Sequence, residues 1–162
     1  MTSTLTTSRI APRRLYRVVA VAEAVTWTLL IAGLLMKYVL DGGDLGVRIG
    51  GSIHGFVFLV YVATAVLVGV NQRWSVGLIA TGVITAIVPY ATIPFDRWLE
   101  RNDRLEGPWK TTATDDPRDH TWIGRLLRWL LNHPVTLGVL FVVGVVVVFT
   151  VLLVLGPPGG QR

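Results

Sequence analysis

The stretch IGGSIHGFVFLVYVATAVLVGV (Ile49–Val70) carries no Asp, Glu, Lys or Arg over 22 residues. At about 1.5 Å per residue a helix of that length covers about 33 Å, enough to cross a hydrocarbon layer about 30 Å thick. Lipid supplies no water to backbone amides and carbonyls, so such a run must be helical. Three further windows read the same way, near residues 16–40, 74–95 and 135–155. The chain of 162 residues is 52% hydrophobic and 15% charged, with mean hydropathy +0.58. Soluble domains carry about a quarter charged residues. The expected fold is therefore all-α and polytopic in the membrane, with the lipid bilayer as first partner.

A net charge of +5 and a pI near 10.2 could suggest nucleic acid. The positions of the basic residues exclude that reading. Arg9, Arg13, Arg14 and Arg17 precede the first helix, where membrane orientation explains them. With no cysteine, thiolate and disulfide chemistry are absent. The first apolar run extends to about Leu40 without a small-residue cleavage site, so an uncleaved helix is expected rather than a signal peptide.

Punctuation along the chain gives the organisation. Residues 1–14 form a basic tail, Ser/Thr-rich and expected to be disordered. Residues 15–95 hold three transmembrane helices, about Leu15–Leu40, Val47–Val70 and Trp74–Ile93, joined by "DGGDLG" and "NQRWS". Pro89 and Pro94 predict a kink or early end in the third. Residues 96–119 are a polar loop. Residues 120–133 form a short amphipathic helix, with Trp122, Leu126, Trp129 and Leu130 at helical spacing, suited to the membrane interface. Residues 134–156 are a fourth transmembrane helix opened by Pro134, and 157–162 a tail. Four crossings of a bacterial inner (plasma) membrane, oriented by the N-terminal arginines, put both termini in the cytoplasm. The segment 96–134 then faces outward with seven Lys/Arg, against the positive-inside tendency.

Ionisable groups inside the apolar windows are expensive and mark candidate sites. They are Glu23, Lys37 and His54. Centring the first helix on Thr28 and the second on Leu59 places Glu23 and His54 about 7.5 Å on opposite sides of the midplane. Their separation of about 15 Å along the normal then forbids a direct bond. Partners at matching depth are Thr64 and Thr81 for Glu23, and Tyr90 or Tyr61 for His54, with Gly33 opposite the histidine. Lys37 is expected to snorkel. Gly33, with the pairs Gly46/Gly50 and Gly51/Gly55, offers small surfaces for close helix packing. His54 and Glu23 thus serve either as interhelical bonds or as a proton or ligand site, since imidazole titrates near pH 6.5.

Enzyme signatures are missing. "GGSIH" lacks the final glycine of a nucleophile elbow, and neither H-E-x-x-H nor a phosphate loop occurs. His120 and His133 lack metal spacing, and Asp115, Asp116 and Asp119 read as a solvated linker. No cofactor, metal or catalytic residue is expected.

Several segments together resemble the YdzA-like proteins, a small bacterial integral-membrane family classified only as a domain of unknown function. They are "AEAVTW" (22–27), "LLMKYVL" (34–40), "GSIHGFVFLVY" (51–61), "RWS" (73–75) and "PYATIPFDRWLER" (89–101), so the resemblance covers about residues 12–101. It implies a three-helix membrane unit in which Glu23, Lys37, His54 and Gly55 match motif positions, and it brings no activity. The chain departs from the family in Ala24, where glycine is usual, in "MKY" for proline-leucine-lysine-tyrosine, and in the extension 102–162.

Two functions compete. One is a non-enzymatic accessory or scaffold subunit, packed against a larger membrane protein. The other is a small proton-coupled transporter or permease component, working by self-association, with Glu23 and His54 as relay groups and Tyr90 near the path.

Overall fold

The computed structural model describes residues 10–155. The two tails, residues 1–9 and 156–162, lie outside the described residues, and with them most of the expected disordered segment. The described chain is all-α. Three helices are long and apolar enough to cross a membrane: α1 (Pro12–Tyr38), α2 (Leu45–Asn71) and α6 (Pro134–Leu155). Between α2 and α6 lie α3 (Val76–Thr85), α4 (Thr92–Arg101), a 3-10 turn (Pro117–His120) and α5 (Trp122–Asn132).

α1 opens on Pro12, where the missing N–H is not needed. Beyond Tyr38 the chain reverses through Asp41 (φ 51°) and Gly43 (φ 75°), left-handed conformations that suit glycine. α2 then runs antiparallel to α1 at close range. A Cβ on Gly33 would lie 2.5 Å from the Gly46 carbonyl oxygen, and one on Gly50 would lie 2.8 Å from that of Leu29. Hydrogen is the one side chain that fits at either place. The glycines therefore fix the register as well as the spacing of the two helices.

The expected third helix, Trp74–Ile93, is not a single span. Ser75 caps α3 by accepting from the Leu78 N–H at 3.2 Å, but the helix lasts 10 residues, about 15 Å or half the hydrocarbon layer. Pro89 supplies no N–H to continue the ladder, and the residue before it disfavours helix. The Ala86 carbonyl takes the Trp27 indole N–H instead, at 3.2 Å. Tyr90, at φ 64°, completes the reversal. Pro94 does not stop the chain either, because it sits in the first turn of α4, where a proline is tolerated.

From the turn, α4 climbs back along α1. Tyr90 bonds Thr28 (3.2 Å), Thr92 donates to the Ala20 carbonyl (3.1 Å), Arg17 meets Asp96 (3.2 Å), and Arg13 meets Glu100 (2.8 Å). α3 descends beside α2, with Thr85 at 3.1 Å from the Tyr61 hydroxyl. The pair enters and leaves at one end of the bundle. The early end expected from the prolines is there, whereas the expected helix Trp74–Ile93 is two short ones.

The segment after α4 caps that same end. The Trp74 indole donates to the Arg104 carbonyl and the Trp109 indole to that of Ile10, each at 2.8 Å. Asn71 Oδ1 accepts the Lys110 N–H at 2.9 Å. α5 is capped by Thr121, and its Trp122, Leu126 and Trp129 stay exposed. α6 then returns along α2, with Phe149 against Gly55 and edge-on to Phe56. The core lies where α1, α2, α3 and α4 meet the cap, around Tyr16, Tyr61, Val68, Trp74, Leu99 and Leu105.

Candidate functional site

The register set by the glycines brings Glu23 and His54 to one level. Leu29 faces Gly50, so Thr28 stands level with about Gly51 rather than Leu59. That slides α2 by about eight residues, or about 12 Å at the helical rise. Glu23 Oε2 and His54 Nδ1 are 3.8 Å apart. The expected 15 Å separation is thus overturned, because each apolar window was centred in the membrane independently of its neighbour. Gly33 meets Gly46 and Val47, and does not stand opposite His54.

Glu23 is fully buried and His54 is 8% exposed. Residues i+3 and i+4 share a helix face, so Thr26 and Trp27 sit over the same spot as Glu23. The Thr26 hydroxyl donates to the Glu23 carbonyl at 2.9 Å and lies 3.2 Å from His54 Nδ1. A hydroxyl has one proton, and here it is committed, so the imidazole proton belongs on Nδ1. The Trp27 ring packs on the imidazole with centroids 4.4 Å apart. Among the described residues neither Glu23 carboxyl oxygen has a hydrogen-bond partner, and a buried polar group left so is costly. The site is therefore a compact set of Glu23, Thr26, Trp27 and His54. Thr26 and Trp27 escaped the sequence reading, although both stand in "AEAVTW" at the right spacing.

The other expected members lie elsewhere. Tyr90 bonds Thr28 and is exposed. Tyr61 forms a buried chain with Tyr16 (2.7 Å) and Thr85 (3.1 Å). Thr81 faces outward and donates to its own helix at Gly77 (2.9 Å). Thr64 is buried without a partner and lines an apolar cavity of about 450 Å³ between α1, α2 and α6. Lys37 pairs with Asp44 at 2.8 Å, outward of the helix. Of the glycines, Gly33, Gly46 and Gly50 join α1 to α2, Gly51 touches Leu30, and Gly55 faces α6.

Apart from Lys37–Asp44 and the Glu23–His54 approach, the ion pairs among the described residues belong to the capped end. Arg17 bonds both Asp96 and Glu100. Burial pushes the Asp96 carboxyl up, and Arg17 offsets part of that. Burial also acts on Glu100, but Arg13 and Arg17 together bring it below its usual range. Arg73 links the α2–α3 turn to the cap through Asp116 (3.0 Å) and Asp119 (2.6 Å). Burial raises the Asp119 carboxyl, yet Thr114 and Arg73 reverse this and leave it at about 2.

The family model of a domain of unknown function, DUF3817, matches residues 13–101. The membrane protein SCO5905 of Streptomyces coelicolor is 40% identical over 112 residues, which are 68% of this chain and 13% of that protein. The uncharacterized membrane protein YdzA of Bacillus subtilis is 34% identical over 71 residues, 44% of this chain and 73% of YdzA. No solved structure matches the chain.

Proposed function

We propose, from the premise that the chain belongs to the DUF3817 family, that it is a non-enzymatic accessory or scaffold subunit of a larger complex in the plasma membrane. The observation that carries this reading is the enclosure of the polar site. Glu23 is 0% exposed, its neighbours Thr26, Trp27 and His54 come from the chain itself, and the apolar cavity is lined by neither Glu23 nor His54. Such a site ties two helices together. It also fits a module that works beside other parts, as when a similar stretch makes up 13% of the longer Streptomyces protein.

The α3–α4 return supports an orientation for this reading. Arg13, Arg14, Arg17, Arg73 and the basic residues of the cap gather at one end, which the positive-inside tendency assigns to the cytoplasm. On this reading three crossings leave the start of α1 inside and the end of α6 outside, in place of the four crossings that would return both ends to the cytoplasm. The conflict created by an outward-facing segment 96–134 disappears.

A second reading is favoured by one distance, the 3.8 Å between Glu23 and His54. A carboxyl and an imidazole this close inside a membrane make a proton-relay pair, and a transport component would use it. Purification at native expression in a mild detergent, with mass determination and liposome flux under a pH gradient, separates the two. A subunit brings a stoichiometric foreign membrane protein and passes no protons alone. Proton flux by a self-associated particle, lost in Glu23→Gln, would replace the first reading with the second.

A further inference from the structure

We propose that the crevice between α3 and α5 binds an acidic phospholipid, with the phosphate held by basic side chains at its mouth and the acyl chains running along its apolar wall. This goes beyond the scaffold reading and does not depend on the Glu23–His54 site. The crevice, of about 350 Å³, lies at the capped end of the bundle beside Trp74.

Its mouth is strongly cationic. Arg73, Lys110, Arg118 and Arg128 line it against one acid, Asp119. Asp119 is already committed, to Arg73 at 2.6 Å, to the Thr114 hydroxyl at 2.8 Å and to Arg128 at 4.0 Å. Arg118 also meets Asp116 at 3.2 Å, outside the crevice lining. The positive charge exceeds what these acids neutralise, and basic pockets between membrane helices select anionic headgroups.

Two buried donors of the crevice lining lack an acceptor among the described residues. Asn71 is 1% exposed; its Oδ1 takes the Lys110 N–H, while its Nδ2 has no partner. Arg73 Nε is likewise buried and unpaired, although the guanidinium nitrogens hold Asp116, Asp119 and Thr114. Both residues line the crevice. Buried N–H groups are ordinarily satisfied, and phosphate oxygens are strong acceptors.

The rest of the lining is unsuited to a small hydrated anion. Val76 and Ile79 from α3 and Ile123 and Leu127 from α5 are aliphatic, and Val76 and Ile123 continue to the exposed surface at 84% and 44%. Cations and open aliphatic surface in one crevice match an amphiphile rather than free phosphate.

The test is native mass spectrometry of the full chain in mild detergent, with phosphatidylglycerol and phosphatidylcholine of identical acyl chains added in turn. Phosphatidylglycerol should be retained preferentially, and Lys110→Gln with Arg118→Gln should cut its retention about five-fold per charge removed. Arg97→Gln with Arg101→Gln, the same charge change on the exposed side of α4, should leave it unchanged. Ile123→Ser alters no charge and should also weaken retention, which keeps the test decisive if the basic variants unfold. Millimolar inorganic phosphate should not displace the lipid. Equal retention of the two lipids, equal losses in both pairs of basic variants, or displacement by phosphate would each overturn the proposal.

Discussion

Two long helices lie along α2, and they hold it in opposite ways. α1 meets it backbone to backbone: Gly33 against Gly46, and Gly50 against Leu29. α6 meets it through the Phe149 and Phe56 rings, leaves Val145 as its one buried residue, and carries Gly138 and Gly144 with no atom within 4 Å of where their Cβ would lie. Glycine in these two helix pairs therefore fixes register where another backbone arrives. α1–α2 is a fixed pair with a set register. α6 is a span laid alongside it, with most of its surface left to lipid or to a partner.

Gly33→Val or Gly50→Leu should break that contrast most severely. Each drives atoms into a backbone carbonyl, beyond the 1–3 kcal/mol usual for overpacking, and should abolish the monodisperse folded chain on gel filtration. Gly144→Ala in α6 should stay within about 0.5 kcal/mol.

The polar bonds across α1–α2 sharpen the comparison next. His54→Ala should cost about 1–2 kcal/mol in reversible unfolding in micelles, while His54→Gln should recover much of it. Tyr61→Phe should cost about 1 kcal/mol, because Tyr16 and Thr85 both lose their bond to its hydroxyl.

How much of this could be read beforehand differs between the two partners of α2. The α6 span was plain from hydropathy, since nothing but length and apolarity defines it. The glycines of α2 announced a close neighbour, but pairing required knowing that Gly33 meets Gly46. Centring each window on the membrane ignored that constraint and moved Glu23 away from His54. Thr26 and Trp27 were within reach, three and four residues beyond Glu23. The α3–α4 return was not, because Pro89 signals a break without saying whether the chain continues across or turns back. The Trp27 indole on the Ala86 carbonyl is a tertiary contact that local sequence does not encode.

The smallest expected effect concerns the cap rather than the helices. Asp119 is held at about 2 in the folded chain, below the ordinary aspartate value near 3.9. Its depressed value means that its contribution is full above about pH 4 and fades as the pH falls towards 2. Limited proteolysis between residues 102 and 120 should accelerate across that window while α1–α2 stays intact. Asp119→Asn should weaken this pH dependence, leaving the part that Asp116 carries through Arg73 and Arg118.

The register of α1 against α2 is tested most directly by paired cysteines, since the chain has none of its own. Thr26→Cys with His54→Cys should form an intramolecular disulfide in membranes under mild oxidation. Thr28→Cys with Leu59→Cys, level if each helix were centred on its own, should not. Cross-linking of the second pair without the first would separate Glu23 from His54 and contradict the site described above.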